Sequence, residues 1–149
     1  MRITTRGRYA LRASLAMAKL SKNNEPVSIN TLSEQEGISS VFLEQIFFKL
    51  RKAGIVSSIR GPGGGFCFAL SLDKLTVKEI FNAVGEEIEL IFCDKHNDTC
   101  KREGECMSHN IFTEVTKIVD AYFSGLTLAY IIEKYGKIPV PVIAGEVIG

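Results

Sequence analysis

The feature that most constrains the fold of this chain is a glycine-rich turn between two short apolar segments. The turn spans Gly61–Gly65 and contains one proline, and the segment before it is Ile55–Arg60. Both flanks are rich in β-branched or aromatic residues, which favours strands. The segment after the turn places its large apolar side chains on one face: Phe66, Phe68 and Leu70. We therefore predict a β-hairpin with the glycine-rich turn at its tip.

Two helices are predicted directly before this hairpin. The shorter one covers Ser28–Glu36 and stops at Gly37, which suits a left-handed helix end. The second helix has Ser39 or Ser40 as its cap, and its apolar residues follow helical spacing: Leu43, Ile46, Phe47 and Leu50. A short helix, a tight turn and a second helix form a helix-turn-helix, whose second helix enters the DNA major groove. The hairpin behind it is then a wing.

The remaining elements are also predicted to be helical. A first helix spans Thr5–Leu20, and a capping box at Thr76 and Glu79 opens another that runs to about Val84. A long helix is expected over Ser108–Phe123, and a last one is capped by Thr127 and reaches Tyr135. In the long helix the spacing of four, three and four residues is that of a coiled-coil seam: Ile111, Val115, Ile118 and Tyr122.

The charges of the chain are unevenly divided, although the formal net charge is only +1. Residues 1–63 hold ten Lys or Arg against four Asp or Glu, whereas residues 64–149 hold eight against thirteen. A basic half joined to an acidic half is consistent with one face that meets a polyanion. The chain shows no long apolar run, no secretory signal and no convincing pairing of catalytic groups, so we expect a cytoplasmic protein without enzymatic activity, membrane segment or small-molecule substrate.

The outer face of the second helix of the motif carries the candidate base readers. Gln45 is suited to reading adenine, and Glu44 to accepting from cytosine, although Glu44 is equally well explained as a solvated charge. Arg60 at the wing suits insertion into a minor groove, with a plain exposed turn residue as the alternative. Arginines on or near the first helix are candidates for phosphate contacts: Arg2, Arg6, Arg8 and Arg12. The complete set of expected DNA contacts is Arg2, Thr4, Ser39, Ser40, Glu44, Gln45, Arg51, Ser58, Arg60, Gly61 and Pro62.

A long irregular segment contains the candidate metal ligands. Cys93, Cys100, Cys106 and His109 are separated by six, five and two residues, and thiolates suit zinc or iron–sulfur clusters. Zinc sites usually contain close cysteine pairs, so this wide spacing favours a cluster. His96 is a rival fourth ligand, and direct thiol oxidation without a metal is an alternative for the whole set. Cys67 alternates with phenylalanines in a predicted strand and is interpreted as a buried structural thiol.

Several runs of residues resemble the IscR family of bacterial iron–sulfur regulators. The similar runs are Met1–Ala10, Gly37–Phe47 and Leu50–Phe66, and the similarity extends through the cysteines to about residue 130. The resemblance implies a winged-helix homodimer joined by its long helices, with a 2Fe–2S cluster on Cys93, Cys100, Cys106 and His109. It also implies that the position of Glu44 takes part in operator choice. The first cysteine gap is one residue longer here than in the family.

We therefore predict a mainly α fold with a small β-hairpin wing. The expected division is a winged helix-turn-helix DNA-binding domain at 1–85, a cysteine-rich cluster-binding loop at 86–109, a dimerisation helix with a short following helix at 110–135, and a tail at 136–149. The predicted function is a cluster-sensing transcription regulator of iron–sulfur biogenesis genes that binds a near-palindromic operator. A nitric oxide or thiol-redox sensor on the same scaffold is the nearest alternative, and a small iron–sulfur electron carrier is the alternative from another class.

Overall fold

Three of the helices begin directly after capping residues that the sequence predicts: Ser39, Thr76 and Thr127. The structure is a computed structural model that describes residues 1–91, 93, 102 and 105–137. Its elements are α1 (Thr5–Leu20), α2 (Ile29–Glu36), α3 (Ser40–Lys52), β1 (Val56–Ile59), β2 (Gly65–Phe68), α4 (Val77–Ala83), α5 (Met107–Gly125) and α6 (Leu128–Tyr135). This mainly α arrangement with one antiparallel hairpin confirms the predicted fold class.

Local capping explains why the helix-turn-helix forms where it does. The Ser28 hydroxyl caps α2, and the Ser39 hydroxyl caps α3 by accepting a hydrogen bond of 3.1 Å from the Phe42 N–H. Gly37 ends α2 with φ 63°, a left-handed conformation that costs a glycine little. The capping box of Thr76 and Glu79 is also present at α4. Each of these bonds joins residues that are three apart in sequence, which is why the sequence alone predicts them.

The core lies between α1, α2, α3, α4 and α6. The buried side of α1 consists largely of small residues, which lets the neighbouring helices approach closely. Fully buried side chains come from five of the helices: Ala10, Ala13, Met17, Leu32, Leu43, Phe47, Leu50, Ile80 and Leu128. Burial of each large apolar side chain contributes about 1.5–3 kcal/mol. The core therefore holds the orientation of α3 relative to the rest of the fold.

The hairpin is docked on the connection between α1 and α2. Val56 pairs with Phe68 and Ile59 with Gly65, and Phe66 exchanges two backbone hydrogen bonds of 2.9 Å with Val27. A side chain at Gly65 would place its Cβ 2.3 Å from the Val27 carbonyl oxygen, so only glycine permits this approach. The wing thus has a defined position beside α3.

The predicted alternation of the second strand is wrong at its last residue. Leu70 lies beyond β2 and is exposed, whereas Phe68 is buried. The side-chain amide of Asn24 donates to the Phe68 carbonyl at 3.1 Å and accepts from the Phe68 N–H at 3.2 Å. These bonds fasten the end of β2 to the connection between α1 and α2. Cys67 is buried, as the interpretation of a structural thiol requires.

The last two helices attach to the winged domain in different ways, α5 through α4 and α6 through the segment before α4 and the core. Lys78 on α4 forms an ion pair with Asp120 on α5, and the rings of Phe81 and Phe123 pack edge to face at 5.4 Å. The Leu128 N–H donates to the Leu75 carbonyl at 2.9 Å. Within the described part of the chain, α5 is two residues longer at its C-terminal end than predicted, and no described helix combines the length and apolar character needed to cross a bilayer.

Candidate nucleic-acid interface and candidate metal centre

The outer face of α3 is the most exposed part of the helix-turn-helix. Since four apolar residues of α3 face the core, the side chains on the opposite face project into solvent. The exposed residues are Val41, Glu44, Gln45, Phe48, Lys49, Arg51 and Lys52, while Ser39 and Ser40 at the helix start are half-buried. The face therefore offers a carboxylate, an amide and three cations, together with two apolar groups, in the position of a recognition helix.

Phe48 points outward and is covered mainly by a cation. It is 56% exposed, and the Arg51 guanidinium carbon lies 5.7 Å from its ring centroid. The same guanidinium donates a hydrogen bond of 3.4 Å to the Ser58 hydroxyl on β1. Arg51 thus joins the recognition helix to the wing, and both residues are exposed. Arg51 and Ser58 were predicted as separate DNA contacts, and the hydrogen bond between them places both on one surface.

The glycine-rich tip of the wing leaves its backbone open to the close approach of another molecule. Arg60, Gly61 and Pro62 are all exposed, and Gly61 has φ 99°, where L-residues with side chains are strained. The Gly64 N–H bonds back to the Gly61 carbonyl at 2.9 Å and closes the turn. Arg60 therefore leaves the end of β1 beside a narrow loop, which is the arrangement that minor-groove insertion needs. The DNA contacts assigned to these residues stay predictions.

The start of α1 is held by a buried carboxylate that no sequence pattern predicted. Glu86 is only 4% exposed, and its carboxylate accepts hydrogen bonds from the N–H of Thr4, at 3.1 Å, and from the Thr4 hydroxyl. That hydroxyl in turn caps α1 by accepting from the Gly7 N–H. A negative charge beside a helix N-terminus is stabilised by the helix dipole. Thr4 thus has a structural role, and its DNA contact remains a prediction.

The arginines near α1 divide into two groups. Arg2, Arg6 and Arg8 are exposed and available to meet phosphates. Arg12 is engaged within the fold, because its guanidinium donates to the Glu36 carbonyl at 2.7 Å and pairs with the Glu36 carboxylate at 3.1 Å. The same guanidinium lies over the Tyr9 ring. Arg12 therefore ties α1 to α2, and its phosphate contact stays a prediction.

The candidate metal ligands are only partly described. Cys93 is exposed, Cys106 is half-buried at the cap position of α5, and His109 is half-buried on the first turn of that helix. The His109 Nε2 lies 3.4 Å from the Thr113 hydroxyl one turn further on. Cys100 and the rival ligand His96 lie outside the described residues. Among the residues that are described, no group of three possible ligands comes together.

The described donors nevertheless fit a soft metal site. Cys106 and His109 are three residues apart at the start of one helix, which places both side chains on the same edge. The Cys93 and Cys106 sulfurs are both free thiols, so they are available as thiolate ligands. The anionic charge of a thiolate cluster is favoured near the N-terminal end of a helix.

The fold and its exposed α3 face define a winged helix-turn-helix transcription regulator. Residues 3–134 match the Rrf2 family, described as "Iron-dependent Transcriptional regulator", and the chain belongs to that family. The HTH-type transcriptional regulator IscR of Aliivibrio salmonicida is 37% identical over 128 residues, which cover 86% of this chain and 75% of the relative. Because such relatives are named as regulators, this protein is a transcription regulator and not an enzyme.

Two solved structures show the same architecture. CymR, the global cysteine regulator of B. subtilis, has a TM-score of 0.73 and 26% identity, with coverage of 90% of this chain and 98% of CymR. IscR of T. potens has a TM-score of 0.74 at 24% identity, with coverage of 95% and 94%. These likenesses support the winged-helix fold, and the family membership leaves no support for a small electron carrier.

Proposed function

We propose that this protein is an iron–sulfur cluster-sensing regulator of iron–sulfur biogenesis genes that works as a homodimer in the cytoplasm. The observation that carries the proposal is the position of Cys106 and His109 at the start of α5. The same helix carries an exposed apolar stripe and is attached to the winged domain at its other end. A cofactor at its start is therefore placed to influence both the dimer and the DNA-binding surface.

Four residues of the chain would hold the cofactor. The proposed ligands of a 2Fe–2S cluster are Cys93, Cys100, Cys106 and His109. When bound, such a cluster supplies a one-electron redox couple, and a histidine ligand raises its potential relative to an all-cysteine set. Cys106 and His109 hold the helix side of the site, and the thiol of Cys93 lies on the segment that follows α4.

The partner we propose for α5 is a second copy of the chain. No residue of α5 is buried, and its apolar stripe is exposed along the predicted coiled-coil seam: Ile111, Val115, Ile118 and Tyr122. An apolar stripe of this length in water favours association. A symmetric dimer presents two recognition helices, and these bind half-sites about 34 Å apart on a near-palindromic operator.

A chain of contacts connects the proposed cofactor site to the DNA-binding surface. The C-terminal half of α5 is held on α4 by the pair of Lys78 and Asp120. The segment that leaves α4 contains Glu86, which holds Thr4 at the start of α1. Exposed arginines lie on both sides of Thr4. We propose that cofactor binding acts on DNA affinity through these contacts.

The test begins with anaerobic purification, the visible absorption spectrum, and assays of iron and acid-labile sulfide. We expect a coloured protein with equal amounts of iron and sulfide, and loss of both in Cys106→Ala and His109→Ala. The control variant Cys67→Ala removes a buried thiol from β2 and should keep the cofactor. A protein that stays colourless after reconstitution with iron and sulfide would contradict the proposal. Duplex binding by the loaded and unloaded forms then measures the regulatory effect.

Direct thiol sensing is the second candidate, and one observation favours it. Cys93 is an exposed free thiol, and an exposed thiol is open to oxidation. The structural neighbour CymR is named as a cysteine regulator. In this case mild peroxide treatment of the metal-free protein would change duplex affinity, and mass spectrometry would find the modification on Cys93. Cys93→Ser would abolish the response, while Cys67→Ser would keep it.

A further inference from the structure

The recognition helix carries two exposed apolar side chains that the polar contacts leave unexplained. Val41 is 63% exposed and Phe48 is 56% exposed, although residues of this type are usually buried. They are seven residues apart, which is about two helical turns or 10 Å along α3. Glu44 and Gln45 lie between them in sequence and are exposed on the same face. The apolar groups therefore lie on the face of α3 that we propose to meet DNA.

We infer that Phe48 contacts the C5-methyl group of a thymine in the major groove. The thymine methyl is the apolar group that base edges present there, and phenylalanine is among the side chains that contact it. The inference rests on the proposed function, because it requires α3 to lie in the major groove. It adds a specificity: each half-site must contain a thymine, or a 5-methylcytosine, at the position that meets the Phe48 ring.

The surroundings of Phe48 indicate DNA rather than an apolar protein as its partner. Cations flank the ring along the helix at Lys49, Arg51 and Lys52, and all three are exposed. The Arg51 guanidinium covers the ring and also bonds to Ser58 on β1. A surface with this density of positive charge matches the phosphate backbone on either side of a groove. An apolar protein surface would have to desolvate those cations without compensation.

Gln45 and Phe48 together can contact an A·T base pair and the base pair next to it. They are three residues apart on α3 and therefore adjacent on its surface. Gln45 can donate to and accept from adenine, and the Phe48 ring can lie on a thymine methyl. Glutamine reads hydrogen-bonding groups, whereas the ring reads only the methyl. The contribution of Phe48 can therefore be isolated by removal of one methyl group, with every hydrogen bond left in place.

The experiment uses the full-length protein and duplexes selected from a randomised pool. An enriched duplex is resynthesised in a series in which uracil replaces thymine at one position, and each member carries the change in both half-sites. The affinity of each duplex is then measured for the wild type, Phe48→Ser and Phe48→Leu. We expect the affinity of the wild type to fall about fourfold for each methyl group removed from the position that meets Phe48. Phe48→Ser should bind the thymine and uracil duplexes equally, and Phe48→Leu should retain part of the difference. Leu70→Ser, which removes an exposed apolar residue away from α3, should behave as the wild type.

The outcomes separate this inference from the proposed function. If duplexes are enriched but uracil has no effect at any position, or Phe48→Ser keeps the full difference, the thymine contact is overturned and DNA-binding regulation stands. If Phe48→Ser weakens binding to both duplexes by the same factor, so that the thymine–uracil difference remains, Phe48 supports the fold or the dimer instead, and the inference fails. If no duplex is enriched, the proposed function fails together with it. Because Phe48 is exposed, circular dichroism should show an unchanged fold in both variants.

Discussion

The carboxylate of Glu86 accepts a hydrogen bond of 3.1 Å from the backbone N–H of Thr4, across 82 residues of sequence. This contact joins the segment that leads to the cysteines with the first turn of α1, where the exposed arginines lie. Both the cap of α1 and the buried position of Glu86 depend on it. We therefore propose this contact as the route by which a change after α4 reaches the start of α1.

Replacing Glu86 should lower both stability and DNA affinity. In Glu86→Ala the Thr4 N–H loses its acceptor and the dipole of α1 loses a negative charge, at a cost of about 1–3 kcal/mol in the free energy of unfolding. Urea denaturation measures this effect. Glu34→Ala, which removes an exposed carboxylate from α2, should change the stability by less than about 0.5 kcal/mol. Equal effects of the two variants would show that the Thr4 contact contributes nothing.

Gly7→Ala should destabilise the protein, although alanine is the better helix former. A Cβ at position 7 would lie 2.4 Å from the Glu86 Oε2 and would displace the carboxylate. The matched control is Gly125→Ala at the end of α5, where an added Cβ would meet no neighbouring atom of the described residues within 4 Å, and this change should raise stability by up to about 1 kcal/mol. Thermal unfolding measures whether the melting temperature falls in Gly7→Ala and rises in Gly125→Ala. The effects of Gly7→Ala and Glu86→Ala should not add, because each removes the same contact.

The exposed stripe on α5 should control oligomeric state. Ile118 is 68% exposed, the highest value among the four seam residues, and Ile118→Asp places a charge in the proposed dimer interface. We expect a dissociation constant at least about 30-fold larger, as for a central interface residue. Sedimentation velocity measures the change, with Lys117→Ala, which alters an exposed α5 residue outside the seam, as the control. A wild-type protein that sediments as a monomer at all concentrations would refute the dimer.

The wing should contribute to DNA affinity through Arg60. Arg60→Ala should weaken binding to a selected duplex by about 5- to 150-fold if the guanidinium enters the minor groove. The titration is repeated at several salt concentrations, since loss of a cation that contacts DNA also reduces the salt dependence. Lys74→Ala removes an exposed cation away from the wing and should change little. Comparable losses in both variants would indicate only a general charge effect.

Much of the fold could be predicted because its determinants are local. The cap of α3 at Ser39, the capping box at Thr76 and the left-handed end at Gly37 each depend on residues within a few positions. The apolar spacing of α3 likewise determines which of its faces is buried, and so which residues are candidates for reading DNA. Helical geometry converts such spacings into positions without information from the rest of the chain. Outward-facing Gln45 and Glu44 were found in this way.

Tertiary structure alone decided which of the charged and polar residues are used inside the fold. Glu86 and Thr4, Arg12 and Glu36, and Asn24 with Phe68 are pairs that no spacing predicts, because each partner is positioned by the packing of a different element. The docking of Phe68 on Asn24 follows from the same packing, whereas the outward position of Phe48 follows from the helical spacing of α3. The sequence by itself determined the helices, the wing and the set of candidate ligands. Only the packed core determined which side chains remain free to meet DNA, since burial and long-range hydrogen bonds depend on all the elements together.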